Sequence, residues 1–346
     1  MTAIATRTRG SLREVPAMLK GRNNEGVLLG VIVVLLLGML VLEPSALTWG
    51  FAGDILRSGL VTLALALGLL LIIISGGMDV SFTAIAIFSG YATVKLMADL
   101  GLDGRVWPFI VSAAIGCALG SINAVLVARY RMETLIASLG TQVIIRGFLL
   151  AFVGSVYLAT LPPALDSVGA MTIFRLGGSP VNVLVIPVVL LCVLLALMLK
   201  KTLFGRSIYA VGGDKESARR VGLRVPWVQT RIYLIAGLLA GFAGMVHVVL
   251  SRHASPFELV GMEMSVIAAV VIGGALDTGG RGSVQGTVLG VILVSLVQNS
   301  LVRLGISSYW HVFVVGLVIL VGVAIQARSS ARGAKRARIL EGEVSA

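Results

Sequence analysis

The chain has 346 residues, 57% of them hydrophobic and only 13% charged, with a formal net charge of +12 and a mean hydropathy of +1.00. Soluble domains are roughly half apolar and a quarter charged, so too few polar side chains remain here to cover a water-facing surface. A soluble α/β protein is thereby excluded, and the positive charge reads as a mark of membrane topology, not as an affinity for nucleic acid.

A basic leader (Arg7, Arg9, Arg13, Lys20, Arg22) precedes the first apolar segment, 26–43. No small-residue cleavage site follows it, which predicts an uncleaved first span. Further apolar segments lie near 55–75, 82–98, 107–128, 135–154, 181–199, 230–250, 264–276, 284–302 and 309–326. Most reach the length needed to cross a hydrocarbon core of about 30 Å. Gly and Pro separate them at Pro44, Gly76-Gly77, Pro162-Pro163 and Gly279-Gly280. The pattern predicts an all-α, polytopic membrane protein of about ten transmembrane helices, with one membrane domain over 26–326 between basic tails at 1–25 and 327–346. With the N-terminus inside, most of the 28 Lys and Arg residues fall on one side, in the two tails, at Arg129 and Arg131, between Lys200 and Arg231, and at Arg281. The positive-inside rule then puts both termini in the cytoplasm.

Polar groups at membrane depth are the candidates for a translocation path or gate. Asp79 follows Gly76-Gly77 at the inner end of the second span, and either gates a path or starts the next helix together with Ser81. Arg146 falls within the fifth span, where an unpaired charge is expensive, and Gln142 lies one turn away. Asn123, Gln298 and Asn299 complete the set; amides suit passage of an uncharged polyol and equally suit hydrogen bonds between helices. The outer loops 155–180 and 251–263 carry Arg175, Arg252, Glu258 and Glu263, candidates for rim contacts with a docking protein. Small residues four apart (Gly116/Gly120, Gly237/Gly241 and Gly282/Gly286/Gly290) predict close helix packing in lipid. "IISGGMD" and "VVIGGALD" echo one another, a hint of an internal repeat. Cys117 and Cys192 sit in apolar runs as packing residues, and the scattered His247, His253 and His311 give no metal spacing. Gly279, Gly280 and Gly282 have the wrong spacing and context for a dinucleotide site. No cofactor and no metal are expected.

One inside segment stands out: "GRSIYAVGGDKESARRVGL", Gly205–Leu223. Asp214 is placed to cap a short helix, Gly222 to end it, and Ala218 and Val221 to share a small apolar face. So small a face would bind lipid weakly on its own, and the segment reads as a docking element. The same stretch resembles the coupling loop of the ribose-type sugar permeases, the membrane subunits of ABC importers, with Asp214 and Ser217 as mild departures. "SGGMDVS", "GSINAVLV" (Ala124 in place of Gly), "MSVIAAVVIGGALDTGGRGSVQGTVLG" and "LGISSYW" are similar to further motifs of that family, in order, over nearly the whole chain after residue 26.

The resemblance implies a vitamin-B12-importer-like (type II) permease architecture in the bacterial inner membrane. It implies a second permease copy or paralogue beside this one, with the path between them. A cytoplasmic ABC ATPase would be seated on Gly205, Arg206, Tyr209, Gly212, Gly213, Asp214, Glu216, Ala218, Arg219 and Gly222. A periplasmic or lipid-anchored binding protein would deliver a sugar or sugar-like solute. The residues support one part independently: the chain has no G-x-x-x-x-G-K-[ST], so it is not expected to be an enzyme that hydrolyses ATP itself. A stand-alone secondary transporter of a small polar solute is the competing reading; it usually needs acidic groups within the spans, which are scarce here apart from Asp79.

Overall fold

The computed structural model describes residues 25–43 and 48–305, together with Trp310, Phe313, Gly316 and Leu317. Residues 1–24 and 327–346 of the basic tails, Pro44, residues 306–309 of the "LGISSYW" match and nearly all of the expected span 309–326 lie outside the described residues. Among the described residues the chain forms twelve α-helices and one small hairpin. In order these are α1 (Glu25–Leu42), α2 (Trp49–Ile74), α3 (Phe82–Leu100), α4 (Trp107–Ala124), α5 (Thr134–Phe148), α6 (Pro163–Ala170), β1 (Thr172–Leu176), β2 (Ser179–Asn182), α7 (Val185–Lys201), α8 (Leu203–Gly213), α9 (Lys215–Arg220), α10 (Val225–Ser251), α11 (Met262–Ile272) and α12 (Val284–Arg303). Single π-turns extend α4 over Val125–Arg129 and α5 over Leu149–Val153.

Five of these helices, α2, α10, α12 and the extended α4 and α5, are long and apolar enough to cross a membrane; α7 and α8 together make a sixth candidate bent by 73°. Among the described residues the first nine expected segments each find a helix, but not all are complete crossings. With 11 residues α11 is about 16 Å long, half of a hydrocarbon core. The expected crossing from residue 264 is short because the chain before it, 252–261, is not helical.

Helices α2 and α10 form the axis of the bundle and bury most of their length, including Leu65–Ile74 of α2 and Ile232, Ala236, Ala240, Ala243, Val246 and Val249 of α10. The expected small-residue registers explain how α4 reaches α10: a side chain at Gly116 or Gly120 would collide with backbone atoms of Tyr233, Gly237 and Gly241. With that contact open, Ser112 Oγ donates to the Gly241 carbonyl at 2.7 Å. Gly286 and Gly290 do the same for α12 against Ala269 and Gly273. Gly282 does not continue that register, because α12 begins only at Val284 and Gly282 belongs to the loop before it.

The sequence places an outer loop over 155–180 and a span from 181; the structure instead forms a hairpin across that boundary. Its turn is Gly177-Gly178, both at positive φ, as a two-residue turn between twisted strands requires. Ser179 of β2 donates to Asp54 of α2 at 3.0 Å, and Asp54 also pairs with Arg303 at 3.0 Å, so the hairpin seals one end of the bundle.

Candidate functional site

Two assemblies stand out, one at the end of the bundle that carries α8 and α9, the other in its interior. The first begins where α7 stops. Thr202 leaves the helix in an extended conformation and its hydroxyl accepts the Gly205 N–H at 2.9 Å, capping α8. The chain then folds back so tightly that a side chain at Gly205 would overlap the backbone of Met198 and Leu199. Ile208 and Val211 are buried, and Tyr209 donates its hydroxyl to the Gly282 carbonyl at 2.9 Å. Gly212 presses directly on the Ile74 carbonyl, a group that also accepts the Gly280 N–H at 2.8 Å. The first echoing segment therefore meets the loop that follows the second: Gly76, Gly212 and Gly279 stack backbone on backbone, where any Cβ on Gly279 would strike the other two.

Asp214 then breaks the helix (φ −156°, ψ 112°) and caps α9 by accepting the Ser217 N–H at 2.8 Å. That backbone hydrogen bond holds its carboxylate below the usual range. The other end closes as a Schellman motif: Leu223 N–H reaches the Ala218 carbonyl at 3.0 Å and Gly222 N–H the Arg219 carbonyl at 2.9 Å, with Gly222 at φ +86°. The sequence reading of cap and stop agrees with this geometry. It did not anticipate that the glycine-led stretch before Asp214 is itself a helix. Of the candidate coupling residues, Gly205, Gly212 and Ala218 are buried as the seat. Arg206, Gly213, Asp214, Glu216, Arg219 and Gly222 face outward, with Glu216 and Arg219 paired at 3.4 Å. Val221, expected to share the face of Ala218, is exposed as the C-cap of α9.

The interior assembly forms because α2 stops at Ile74 and the chain runs without helix through Gly77–Val80 beside α5. Met78 N–H donates to Thr134 Oγ1 at 2.9 Å and Val80 N–H to Ser138 Oγ at 3.3 Å. Hydroxyls one helical turn apart thus stand in for the missing helical acceptors, as backbone at membrane depth requires. Asp79 is 2% exposed and Asn123 1%. Asp79 Oδ1 accepts both the N–H (2.6 Å) and the hydroxyl (2.7 Å) of Ser81. Asn123 donates to Ser81 Oγ at 2.7 Å and accepts from Thr141 at 2.7 Å.

Further along α5, Glu263 Oε1 receives three donors: Thr83 Oγ1 (2.6 Å), Gln142 Nε2 (2.7 Å) and Arg146 Nη2 (2.5 Å). Thr83 and Glu263 are the second residues of α3 and α11. Two helix N-termini therefore converge on one carboxylate, whose charge their dipoles favour. The sequence reading put Glu263 on an outer rim. Here it is 6% exposed and ion-paired, because the chain ahead of α11 turns inward and carries it to Arg146. Arg146 Nε is buried with no partner. Gln298 is half-buried on α12, and Asn299 donates to Ser58 Oγ at 2.9 Å, away from both groups. Thr83, Thr134, Ser138 and Thr141 were missed, although Thr134, Ser138, Thr141, Gln142 and Arg146 form a helical stripe that the sequence displays.

At the opposite end of the bundle, Arg175 is exposed on β1, while Arg252 donates to both oxygens of Asp166, at 2.8 and 2.5 Å. The Arg252 hydrogen bond pulls the Asp166 carboxyl below its usual range. The tie is accordingly complete at neutral pH and is lost only as pH falls through that lowered value. Glu258 bridges His247 (2.6 Å) and His253 (2.5 Å). Partial burial raises its pKa, but the two histidine contacts outweigh that and leave it lowered.

A multi-pass bundle with broken helices, a buried polar interior and a short capped helix pair projecting from one end defines a membrane transport subunit. A family model described as the permease component of branched-chain amino acid transport systems matches residues 51–323. The chain is 35% identical over 310 residues to the ribose import permease protein RbsC of Bacillus subtilis strain 168, covering 88% of this chain and 92% of that protein. It is 31% identical over 296 residues to RbsC of Escherichia coli strain K12, with 85% and 91% covered. The galactose/methyl galactoside import permease protein MglC of Haemophilus influenzae is 28% identical over 316 residues, with 87% and 94% covered. The chain belongs to this family of ABC-transporter permeases. No solved structure matches it significantly.

Proposed function

We propose that this chain is the membrane-spanning subunit of a binding-protein-dependent importer for a sugar or sugar-like small molecule, driven by a separate cytoplasmic ATPase that docks on α8 and α9. The observation that carries the reading is the similarity to sugar import permeases over 85% or more of the chain. A second copy or a paralogue completes the path, and a periplasmic or lipid-anchored protein delivers the solute to the end formed by the hairpin, α6 and Arg252. On this reading the end bearing α8 and α9, and both termini, are cytoplasmic. The buried seat of Gly205, Gly212 and Ala218 holds the pair in place, and the exposed face of Arg206, Asp214, Glu216 and Arg219 meets the ATPase. In the interior, Asp79 and Asn123 brace the broken crossing before α3, while Gln142, Arg146 and Glu263 border the path.

The test is reconstitution with the ATPase and binding protein, using Ala218→Pro as the variant. Ala218 N–H donates to the Asp214 carbonyl at 3.0 Å, and proline removes that bond at a cost of about 3 kcal/mol in a helix interior. The variant is expected to insert normally and to lose the ATPase in pull-down and ATP-driven uptake of labelled ribose. Parent-like transport by Ala218→Pro, or uptake driven by an ion gradient without the ATPase, overturns the reading.

A further inference from the structure

We infer that the groove between α9, the turn after α4 and the first turn of α10 is a binding site for the headgroup of an anionic phospholipid. The groove has a volume of about 540 Å³ and is lined by Arg131, Arg219 and Arg224 together with Leu223, Val225, Pro226 and Trp227, with no carboxylate in its wall. Glu216 reaches Arg219 from outside the groove, at 3.4 Å between exposed side chains. Arg131 and Arg224 have no hydrogen-bond or ion-pair partner among the described residues, so two full guanidinium charges stand free. Arg131 is also one of three non-glycine residues at positive φ (56°). The turn around it is closed by Tyr130 N–H to the Val125 carbonyl and Met132 N–H to the Leu126 carbonyl, both at 3.2 Å. A backbone held in that conformation sets the direction in which the Arg131 side chain leaves the turn.

The surroundings decide between a lipid and a soluble anion. Trp227 is 47% exposed, and Arg231, one turn further along α10, lies with its guanidinium carbon 3.3 Å from the indole centroid. Two turns beyond, Leu238 is exposed; on the neighbouring α4, Ile122, Val125 of its π-turn and Tyr130 just after it are exposed as well. The groove therefore opens onto an apolar strip that leads away along two membrane-spanning helices. Aromatic rings and arginines at the end of such a strip mark a membrane–water interface, and a basic pocket between helices there is built for a phosphate-bearing headgroup. A soluble phosphate needs only the arginines; a lipid uses both the arginines and the strip. The side assigned to the groove rests on the proposed orientation, whereas binding itself is read on the permease alone and does not depend on transport.

The experiment is native mass spectrometry of the detergent-purified full chain titrated with tetraoleoyl cardiolipin, dioleoyl phosphatidylcholine or glycerol phosphate. The parent is expected to retain one cardiolipin and no phosphatidylcholine at equal concentration, with glycerol phosphate failing to displace the lipid. At about five-fold per guanidinium, Arg131→Gln with Arg224→Gln should weaken cardiolipin binding on the order of 25-fold. Arg131→Lys with Arg224→Lys should keep most of it. Arg105→Gln with Arg175→Gln, which lowers the net charge equally at the far end, should leave it unchanged. Equal retention of phosphatidylcholine, displacement by glycerol phosphate, or parent-like cardiolipin affinity in the folded Arg131→Gln/Arg224→Gln protein each overturns the inference. If that variant keeps cardiolipin but loses the ATPase in pull-down, the groove is a protein-docking surface instead.

Discussion

A single carboxylate carries much of the interior. Glu263 has its three donors only because α3, α5 and α11 meet at that point: Thr83 comes from α3, and Gln142 and Arg146 from successive turns of α5. Burying an ion pair stabilises little by itself, but removing one partner leaves the other charge uncompensated, at about 3–5 kcal/mol. Arg146→Ala is accordingly expected to lower the stability of the detergent-purified protein by about that much in thermal unfolding. Adding Glu263→Gln to Arg146→Ala should recover a substantial part, since a neutral amide still accepts from Thr83. A double variant destabilised by the sum of the losses of Arg146→Ala and Glu263→Gln made singly would show that the two residues are not coupled. Arg146 was visible in the sequence as an expensive charge needing a partner. Its partner was not, because 117 residues separate them and nothing local shows that the chain ahead of α11 turns inward.

Among the elements, α8 shows how a glycine-rich stretch is misread. Glycines at 205, 212 and 213 suggest a loop by propensity, yet the stretch is helical because Thr202 caps it and Ile208 and Val211 are buried. The glycines there serve close approach. Gly212 touches the Ile74 carbonyl, while beside Gly213 there is open space. Gly212→Ala is therefore expected to unseat α8 and abolish ATP-driven uptake, while Gly213→Ala retains it; comparable uptake in the two would separate the seat from function. What depends on neighbours in sequence was legible: the apolar segments, the cap at Asp214, the stop at Gly222 and the interlocking glycines of α4 and α10. The β1–β2 hairpin was legible too, from Gly177-Gly178 between short β-prone runs, but it sat inside a long outer loop and was passed over. Half-length α11 was not legible, since an apolar run has the same composition whether its helix crosses the whole core or half of it.

For the whole molecule, the proposed orientation separates α6, with the hairpin and Arg252, from α8 and α9 by the full thickness of the bilayer. Ala170→Cys, exposed at the end of α6, should react with a membrane-impermeant maleimide in intact cells when Cys117 and Cys192 are replaced by Ala. Val221→Cys, exposed beside α9, should react only after permeabilisation; the reverse pattern would invert the topology. The stacked contact of Gly76, Gly212 and Gly279 has a mechanical meaning in this frame. Side chains between two elements act as springs, since rotamers shift and take up small displacements. Here the touching parts are backbone atoms already at closest approach, and close-packed interiors compress little. The joint is a strut. On the proposed function, a push on α9 and α8 is expected to reach both the chain leading into α3 and the chain leaving α11 with little loss. The first leads directly into the N-terminus of α3, where Thr83 donates to Glu263 at the far end of the half-length α11, so a stroke entering at one face is expected to load that contact from both sides at once.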